Sequence, residues 1–377
     1  MDDLASELVR QGHEVDVVVA DATHPGPRGF RDGSPDGLRV FSVGPEGVRP
    51  GAAFKLLAYL AMGWRLHTHA PRALRKQYDL GVYTSIASFT WGLPARLRRS
   101  GRIRRLMLVL WDFFPVHQLE IGRIRAGWAA APMKAIEKSA IVDADVVALM
   151  SDANVRFFRS YFGLGSETIV LPPWSSSGSI DDAPGRWRAS TLRVLWGGQI
   201  ARGRGLDVLL DAARILEADP ATRESVEILI AGDGPERERM QNAARDLGIV
   251  RFLGALPRDD FRRLLASAHL GMAITVEGVS VPTFPSKIVE YSGAGLPSLV
   301  CIESASDVRD LVMSRGIGLV APADDPEAIA TQIRAAYAEL RQNELERRST
   351  AARAFWADEL SVEHAARTIS TAPGATV

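Results

Sequence analysis

The sequence predicts an α/β protein made of two doubly wound parallel-sheet domains. Three observations carry this reading. Beyond residue 191, apolar strand patterns alternate regularly with helical ones, which is the signature of a parallel sheet with crossover helices. The stretch Pro172–Trp187 is rich in Pro, Ser and Gly and lacks periodicity, so it reads as a linker. At 377 residues, with 46% hydrophobic content and 45 basic against 45 acidic residues, the chain is globular and long enough for two domains. We expect an N-terminal domain over 1–174, a linker over 175–190, a C-terminal domain over 191–355 and a closing helix over 356–377.

The elements follow in order. Asp3–Gln11 reads as a helix closed by Gly12, and His13–Ala20 as a buried, valine-rich strand. A doubly wound domain normally opens with a strand and a Gly-rich turn before its first helix, and neither precedes this helix. Asp21–Pro50 is loop-like, with an extended piece at Leu38–Val43. Ala52–Trp64 is apolar almost all round but too short to span a bilayer. It is either a buried core helix or an interfacial one. Arg65 to Arg105 then carries ten Lys/Arg against one acid, Asp79. That composition suits either a solvated surface or an anionic membrane face. His67 and His69 have no third ligand nearby, so no metal is expected. Strands are predicted at Asp79–Ser85 and Arg105–Leu110, around a helix at Trp91–Arg99. Helix Met133–Ile141, strand Ala144–Met150, helix Asp152–Phe162 and strand Thr168–Leu171 complete the first domain.

In the second domain, Leu192–Trp196 is a strand and Leu206–Leu216 a helix with Leu206, Leu209, Leu210, Ala213 and Leu216 inward. Val226–Ala231, Val250–Leu253, Leu270–Ile274 and Ser298–Ile302 read as further strands. Helices are expected after Pro235, at Asp259–Ala268, Ala305–Ser314, Pro326–Leu340 and Leu345–Thr368.

Two stretches carry chemistry. Phe284–Pro297 reads as loop, helix and turn. In that helix Ile288, Val289, Tyr291 and Ser292 form the buried side, while Ser286, Glu290 and Ala294 point away. Helical side chains lean toward the N-terminus, so the Glu290 carboxylate is carried toward a helix start whose free N–H groups suit a phosphate. A carboxylate there can accept two vicinal hydroxyls. The competing reading is an ordinary amphipathic helix. The second stretch, Trp196–Leu210, places a Gly-rich turn with Arg202 and Arg204 between strand and helix. Small residues let the backbone approach an anion that a guanidinium can clamp. A plain loop with solvated arginines is the alternative. A third stretch, Trp111-Asp-Phe-Phe-Pro115, follows a strand at the end where open sheets bind ligands. Asp112 is either a ligand or base candidate or the cap of the next helix. Glu120 is a weaker candidate.

Taken together, these stretches resemble the large group 1 family of retaining, nucleotide-sugar-dependent glycosyltransferases with the GT-B fold. In that family the first loop reads Gly-Arg-Leu-x-x-x-Lys-Gly. Here Gly198 and Gly205 match, Ile200 replaces Leu, Gln199 stands for Arg and Arg204 for Lys. The Glu-x7-Glu element is matched by Glu290, with Pro282 in the first Glu position. A subset acting on lipid-linked surface polysaccharides has Pro-Ser-Lys-x-x-Glu, matched by Pro285, Ser286, Lys287 and Glu290. The same subset has Arg-Asp-x-x-Pro, matched by Asp112 and Pro115 but not by Trp111. Leu171-Pro-Pro-Trp-Ser resembles the family's Pro-Asn-Gly turn without the Asn.

The resemblance implies two Rossmann-like domains facing across a cleft, with the tail crossing back to the first. It implies a nucleoside-diphosphate-sugar donor in the second domain, bound by Gly198, Gln199, Arg202, Arg204, Leu253, Gly254, Phe284, Ser286 and Glu290. Arg204, Lys287 and Asp112 would be catalytic. It further implies hexosyl or N-acetylhexosaminyl transfer with retention, no metal and no cofactor. The acceptor would be a polyprenyl-linked or other glycan. The alternatives are a non-catalytic nucleotide-sugar-binding subunit and a sugar-nucleotide epimerase.

A net charge of zero gives no argument for nucleic acid. The single cysteine, Cys301, excludes an intramolecular disulfide and fits a cytoplasmic setting; the apolar helix and the basic run after it add, as one alternative, peripheral contact with the inner face of the plasma membrane. Leu4-Ala-Ser-Glu-Leu-Val-Arg-Gln-Gly-His-Glu-Val also resembles the family's first helix and following strand. The expectation is a start that lies inside the family's first domain, or a first sheet that is defective.

Overall fold

In the computed structural model the chain divides into two units, Met1–Pro172 with Val362–Val377, and Pro173–Ser361. Residues 2–20, 29–32, 37–43, 55–74, 76–84, 90–122, 127, 130–176 and 180–372 are described. Most of the expected Asp21–Pro50 loop and residues 52–54 of the apolar helix lie outside them.

The first unit contains α1 (Asp2–Arg10), β1 (Val15–Ala20), β2 (Gly29–Asp32), β3 (Leu38–Val43), α2 (Lys55–Ala73), β4 (Tyr78–Thr84), α3 (Leu93–Arg99) and β5 (Ile103–Leu110). It continues with α4 (Val116–Glu120), α5 (Ala130–Ile141), β6 (Val146–Leu149), α6 (Asp152–Phe162) and β7 (Glu167–Val170). The strand β5 is buried nearly throughout, as a central parallel strand covered on both faces should be. Ser151 caps α6 by accepting the Asn154 N–H, and Gly163 closes it in the left-handed conformation.

Strands β4-β5-β6-β7 form one parallel sheet, and β1-β3-β2 form another. Within the second, β1 runs parallel to β3 and β2 antiparallel to it. Among the described residues β1 and β4 share no ladder. Side chains tie the two sheets instead. The Tyr78 hydroxyl donates to Asp16, and Arg39 holds the same carboxylate from β3. Burial works against the Asp16 charge, but the hydrogen bonds from Arg39 and Tyr78 outweigh it and hold its pKa below the ordinary range.

The second unit opens with β8 (Leu192–Gly197), α7 (Leu206–Ala218), α8 (Pro220–Arg223), β9 (Val226–Ala231), α9 (Arg237–Ala243), β10 (Val250–Gly254), α10 (Arg258–Ser267) and β11 (Leu270–Ile274). It closes with α11 (Ser286–Gly293), β12 (Ser298–Cys301), α12 (Val308–Ser314), β13 (Gly318–Val320), α13 (Pro326–Arg341) and α14 (Glu344–Phe355). The sheet is six-stranded and parallel, in the order β10-β9-β8-β11-β12-β13. Leu206, Leu209, Leu210, Ala213 and Leu216 of α7 are buried with Ile329 and Ile333 of α13 on one face. Each such Leu or Ile contributes about 1.5–3 kcal/mol through burial. Tyr291, Ala294 and Leu265 pack with Leu195 and Leu229 on the other face. Parallel strands with helices on both faces make this a doubly wound domain.

Several expectations are corrected. The helix after residue 52 does not stop at Trp64 but runs to Ala73, through Pro71. The helix expected from Trp91 starts at Leu93, because Trp91 and Gly92 are left-handed. The first of these is a costly conformation for a bulky residue. The single helix expected at Leu345–Thr368 is α14, a π-helical turn at Trp356–Leu360 and α15 (Val362–Thr371). Ser361 is extended there and pairs with Ser175, while the Trp356 indole donates to the Ser175 hydroxyl at 2.9 Å. Helix α15 belongs to the first unit and packs against α1, and its Ser370 meets His13 at 3.2 Å. Ala294, expected to point away from the core, is fully buried. The short strands β2 and β13 were not anticipated.

A buried polar knot closes the amino end of the second sheet. His269 is 1% exposed. Its Nδ1 accepts the Arg193 N–H at 2.9 Å, and its Nε2 faces the Arg186 carbonyl at 2.8 Å. Burial holds its pKa down at about 4, with the charges of Arg186 and Arg193 adding to the effect. The neutral ring is thus the folded form. Its contribution is intact above pH 6.5 and is lost as the pH falls toward 4, by roughly 3 kcal/mol in all. Urea midpoints should therefore fall between pH 6.5 and 4. The fall should be smaller in His269→Gln, which is less stable than wild type at pH 7.

Candidate active site

The order of the six-stranded sheet puts its switch point between β8 and β11, where open α/β sheets bind ligands beyond the strand ends. The loop after β8 is stitched to its neighbours by backbone bonds. Gly198 N–H donates to Ala231 O and Ile200 N–H to Asp233 O, both at 2.9 Å. Gly232 N–H donates to Gly254 O at 2.8 Å. Side chains would break this floor. A Cβ on Gly232, whose φ is +141°, would fall 1.8 Å from the Gly198 carbonyl oxygen, and one on Gly234 would fall 2.2 Å from that of Ile200. Ile200 is fully buried and anchors the loop in the core, whereas Gly198 and Gln199 are exposed on its outer side.

Lys287, from the first turn of α11, reaches over this loop. Its Nζ lies 4.9 Å from the centre of the Trp196 ring and 3.2 Å from where a Gly198 Cβ would be. Burial lowers its pKa to about 8, and the Arg204 charge lowers it further while Glu290 opposes them. Arg204 is half-buried. Arg202 is 88% exposed and lies 3.4 Å from Glu236, so its guanidinium is solvated. Glu290 opens to solvent on one side, yet the surrounding protein desolvates it and raises its pKa against the pull of Lys287 and Arg258.

Pro285 takes the cap position of α11 rather than its first turn, and Ser286 is the first helical residue and exposed. Phe284 is buried just before it. Leu253 and Gly254 end β10, and the Arg237 guanidinium lies 3.6 Å from where a Gly254 Cβ would be.

The second unit therefore assembles Gly198, Gln199, Arg204, Lys287 and Glu290 around one strand end. Arg202, Leu253, Gly254, Phe284 and Ser286 lie on its loops.

Asp112 belongs to the first unit, beyond β5. It does not cap α4, whose cap position is held by Pro115 without a side-chain bond. Its carboxylate instead faces His117 Nδ1 at 3.4 Å.

Two residues at the site escaped the sequence reading. Glu303, fully buried after β12, accepts the Thr283 N–H at 2.7 Å and the Thr275 hydroxyl at 2.8 Å. It pins both ends of the loop that contains Pro282, the position where the family has its first Glu. An acid directly after an apolar strand was the available signal. Tyr291 was assigned to the core, but its hydroxyl also accepts the Gly197 N–H at 3.2 Å. The signal was Gly271, a lone glycine within a strand, which marks close approach.

A half-buried, desolvated ammonium with a pKa of about 8 sets a pH dependence. Only the protonated form attracts an anion. The affinity of the site for an anion should decline above pH 8, as Lys287 loses its proton. Lys287→Met should abolish that limb without lowering the melting temperature at pH 7, since it removes a desolvated charge. Calorimetric titration across pH 6.5–10 checks both.

Comparison with known proteins agrees with this architecture. Residues 191–339 match the family model described as glycosyl transferases group 1, and residues 1–174 match that of the glycosyl transferase 4-like domain. A probable glycosyltransferase of Pseudomonas aeruginosa, WbjE, is 22% identical over 246 residues, 60% of this chain. The match spans 58% of that relative's length. Among solved structures, sucrose-phosphate synthase from Thermosynechococcus elongatus superposes with a TM-score of 0.72 at 18% identity, covering 97% of this chain and 90% of that one. The Anabaena protein Alr3699/HepE, in complex with UDP and glucose, gives 0.63 at 17% identity, covering 89% and 85%. With two matched domains spanning most of its length and a GT-B fold of two Rossmann-like domains, the chain belongs to the group 1 glycosyltransferases.

Proposed function

We propose that this protein transfers a hexosyl or N-acetylhexosaminyl group from a nucleoside-diphosphate sugar to an acceptor hydroxyl, with retention of configuration. The observation that carries the reading is the position of Lys287 over the Gly198 turn, within reach of the Arg204 charge, at the switch point and beside the start of α11. When the sugar C1–O bond breaks, its electron pair stays on the diphosphate; the acceptor oxygen forms the new bond to C1 on the same face, and its proton passes to the departing phosphate oxygen. Fixed cations at that oxygen stabilise the charge as it grows and need no reorganisation. Lys287 and Arg204 take the part that a divalent metal plays elsewhere, so no metal is required. Glu290 holds the ribose hydroxyls. Asp112, with His117, receives the acceptor.

The thermal-shift response to a panel of nucleotides and nucleotide sugars tests the reading, because a ligand of the folded state raises the melting temperature. Arg204→Ala should lower turnover by about two to three orders of magnitude, as loss of one oxyanion donor does. Near-normal turnover would remove Arg204 from the site.

Gln199 and Pro282, in place of the family's Arg and first Glu, favour a second reading as a non-catalytic nucleotide-sugar-binding subunit. Donor hydrolysis in the absence of acceptor separates the two, since a pure binder shows none.

We further propose a lipid-linked glycan acceptor, reached by docking the first unit on an anionic membrane. No helix among the described residues is long and apolar enough to cross a membrane. Trp64 and Trp91 are 53% and 43% exposed and meet edge to face at 5.7 Å, and the exposed Arg96 of α3 donates to the carbonyl of His67, whose ring stacks on Trp64. Indoles beside arginines suit an anionic headgroup layer. Flotation with liposomes should require anionic lipid, fall with salt, and weaken in Trp64→Ala/Trp91→Ala. Equal flotation on neutral vesicles, or none on either, rejects the docking.

A further inference from the structure

We infer that Tyr291 is the positioning residue that holds Lys287 and the Gly197–Gly198 turn in a single geometry. The inference rests on the donor-binding reading of this site and adds a residue to it. Strands β8 and β11 are paired only at Leu270↔Val194 and Gly271↔Leu195. Beyond Leu195 they separate, and the backbone of β8 needs other partners there. The Tyr291 hydroxyl supplies them. It accepts the Gly197 N–H at 3.2 Å and donates to the Leu195 carbonyl at 3.3 Å. Its oxygen also lies 3.5 Å from the Met272 carbonyl of β11.

The ring fits because position 271 has no side chain. A Cβ there would come within 2.4 Å of Tyr291 Cδ2. The phenol is fully buried, so its two bonds to β8 have no water to replace them.

Lys287 stands four residues earlier on the same helix, so both side chains share one side of α11. Tyr291 roots that side in the gap between the strands, and Lys287 reaches from it across Trp196 to Gly198. The distance from the ammonium to the Gly198 turn is thereby set by one side chain that grips both elements. The charged groups facing Lys287 are Arg204 from the loop and Glu290 from its own helix. Arg258 acts on Glu290 in turn.

The test compares wild type with Tyr291→Phe, which keeps the ring in its slot and removes the hydroxyl. The ¹³Cε resonance of Lys287 is followed by NMR across pH 6.5–11, and UDP affinity is measured by calorimetry. We expect a midpoint near 8 in wild type. In Tyr291→Phe it should move toward 10.5 as the ammonium leaves its desolvated seat, and UDP affinity should fall about tenfold. A variant with a lower melting temperature but an unchanged Lys287 titration would show that Tyr291 only stabilises the core, and would overturn the inference. Failure of wild type to bind any nucleotide would instead sink the donor reading, while the titration would still judge Tyr291. Should the variant not fold, hydrogen exchange of wild type decides. The Gly197 amide should be as protected as its neighbours in β8, and exchange as fast as that of an exposed loop amide would refute the clamp.

Discussion

The second unit depends on one constraint, that two adjacent parallel strands must part company. In the order β10-β9-β8-β11-β12-β13, the chain leaves β8 toward one side of the sheet and β11 toward the other. The ladder between these strands is therefore short, and the backbone beyond it would lack partners. Buried N–H and C=O groups without partners cost about 1–3 kcal/mol each. The fold meets this cost locally. On the β9 side the ladder continues, with Gly198 and Ile200 donating to Ala231 and Asp233, and on the β11 side Tyr291 takes the Gly197 N–H. What remains is a crevice floored by backbone, with a buried aromatic ring beneath it and the start of a helix beside it. An anion fits such a place for reasons that precede any particular chemistry.

Much of this was legible in the sequence, and the reason differs from residue to residue. Strands β8, β9, β11 and β12 are buried on both faces, so they read as continuous apolar runs. The inward face of α7 follows from spacing alone. Lys287 and Glu290 stand out in the sequence because a motif places them, but their environment is not legible there. Whether a lysine is solvated or desolvated depends on Trp196 and Arg204, which are distant in sequence. Ala294 was misplaced because α11 ends at Gly293, and periodicity carried past a helix end no longer describes a face. Glu303 and Tyr291 escaped because their roles lie in bonds to backbone atoms of other strands. A one-dimensional pattern contains no such partner. The break at Trp356–Leu360 escaped for the same reason. It is set by Ser175 and by the close approach of the indole to Gly293.

The choice of lysine at 287 illustrates how the site uses instability. An apolar side chain there would pack against Trp196 without a desolvation cost, and the core would gain. An arginine would stay charged at any working pH and would hold an anion through a rigid fork. Lysine does neither, because burial and the Arg204 charge bring its pKa down to about 8. At neutral pH it is still mostly protonated, but the charge is poorly satisfied until an anion arrives. An anion bound beside it restores the ordinary preference for the charged form, so part of the folding cost returns as binding energy. In the proposed transfer the return would grow as charge develops on the leaving oxygen, which would place the gain in the transition state rather than in the resting complex. Glu290 shows the complementary case, a carboxylate open to solvent on one side, raised by desolvation and restrained by Lys287 and Arg258. The two residues flank the first turns of one helix, and each is made responsive by the same desolvation. Their separation on α11 is fixed by helical geometry, and the helix is fixed by the ring of Tyr291 in the gap where β8 and β11 diverge. The switch point therefore both creates the crevice and holds the side chains that would work in it.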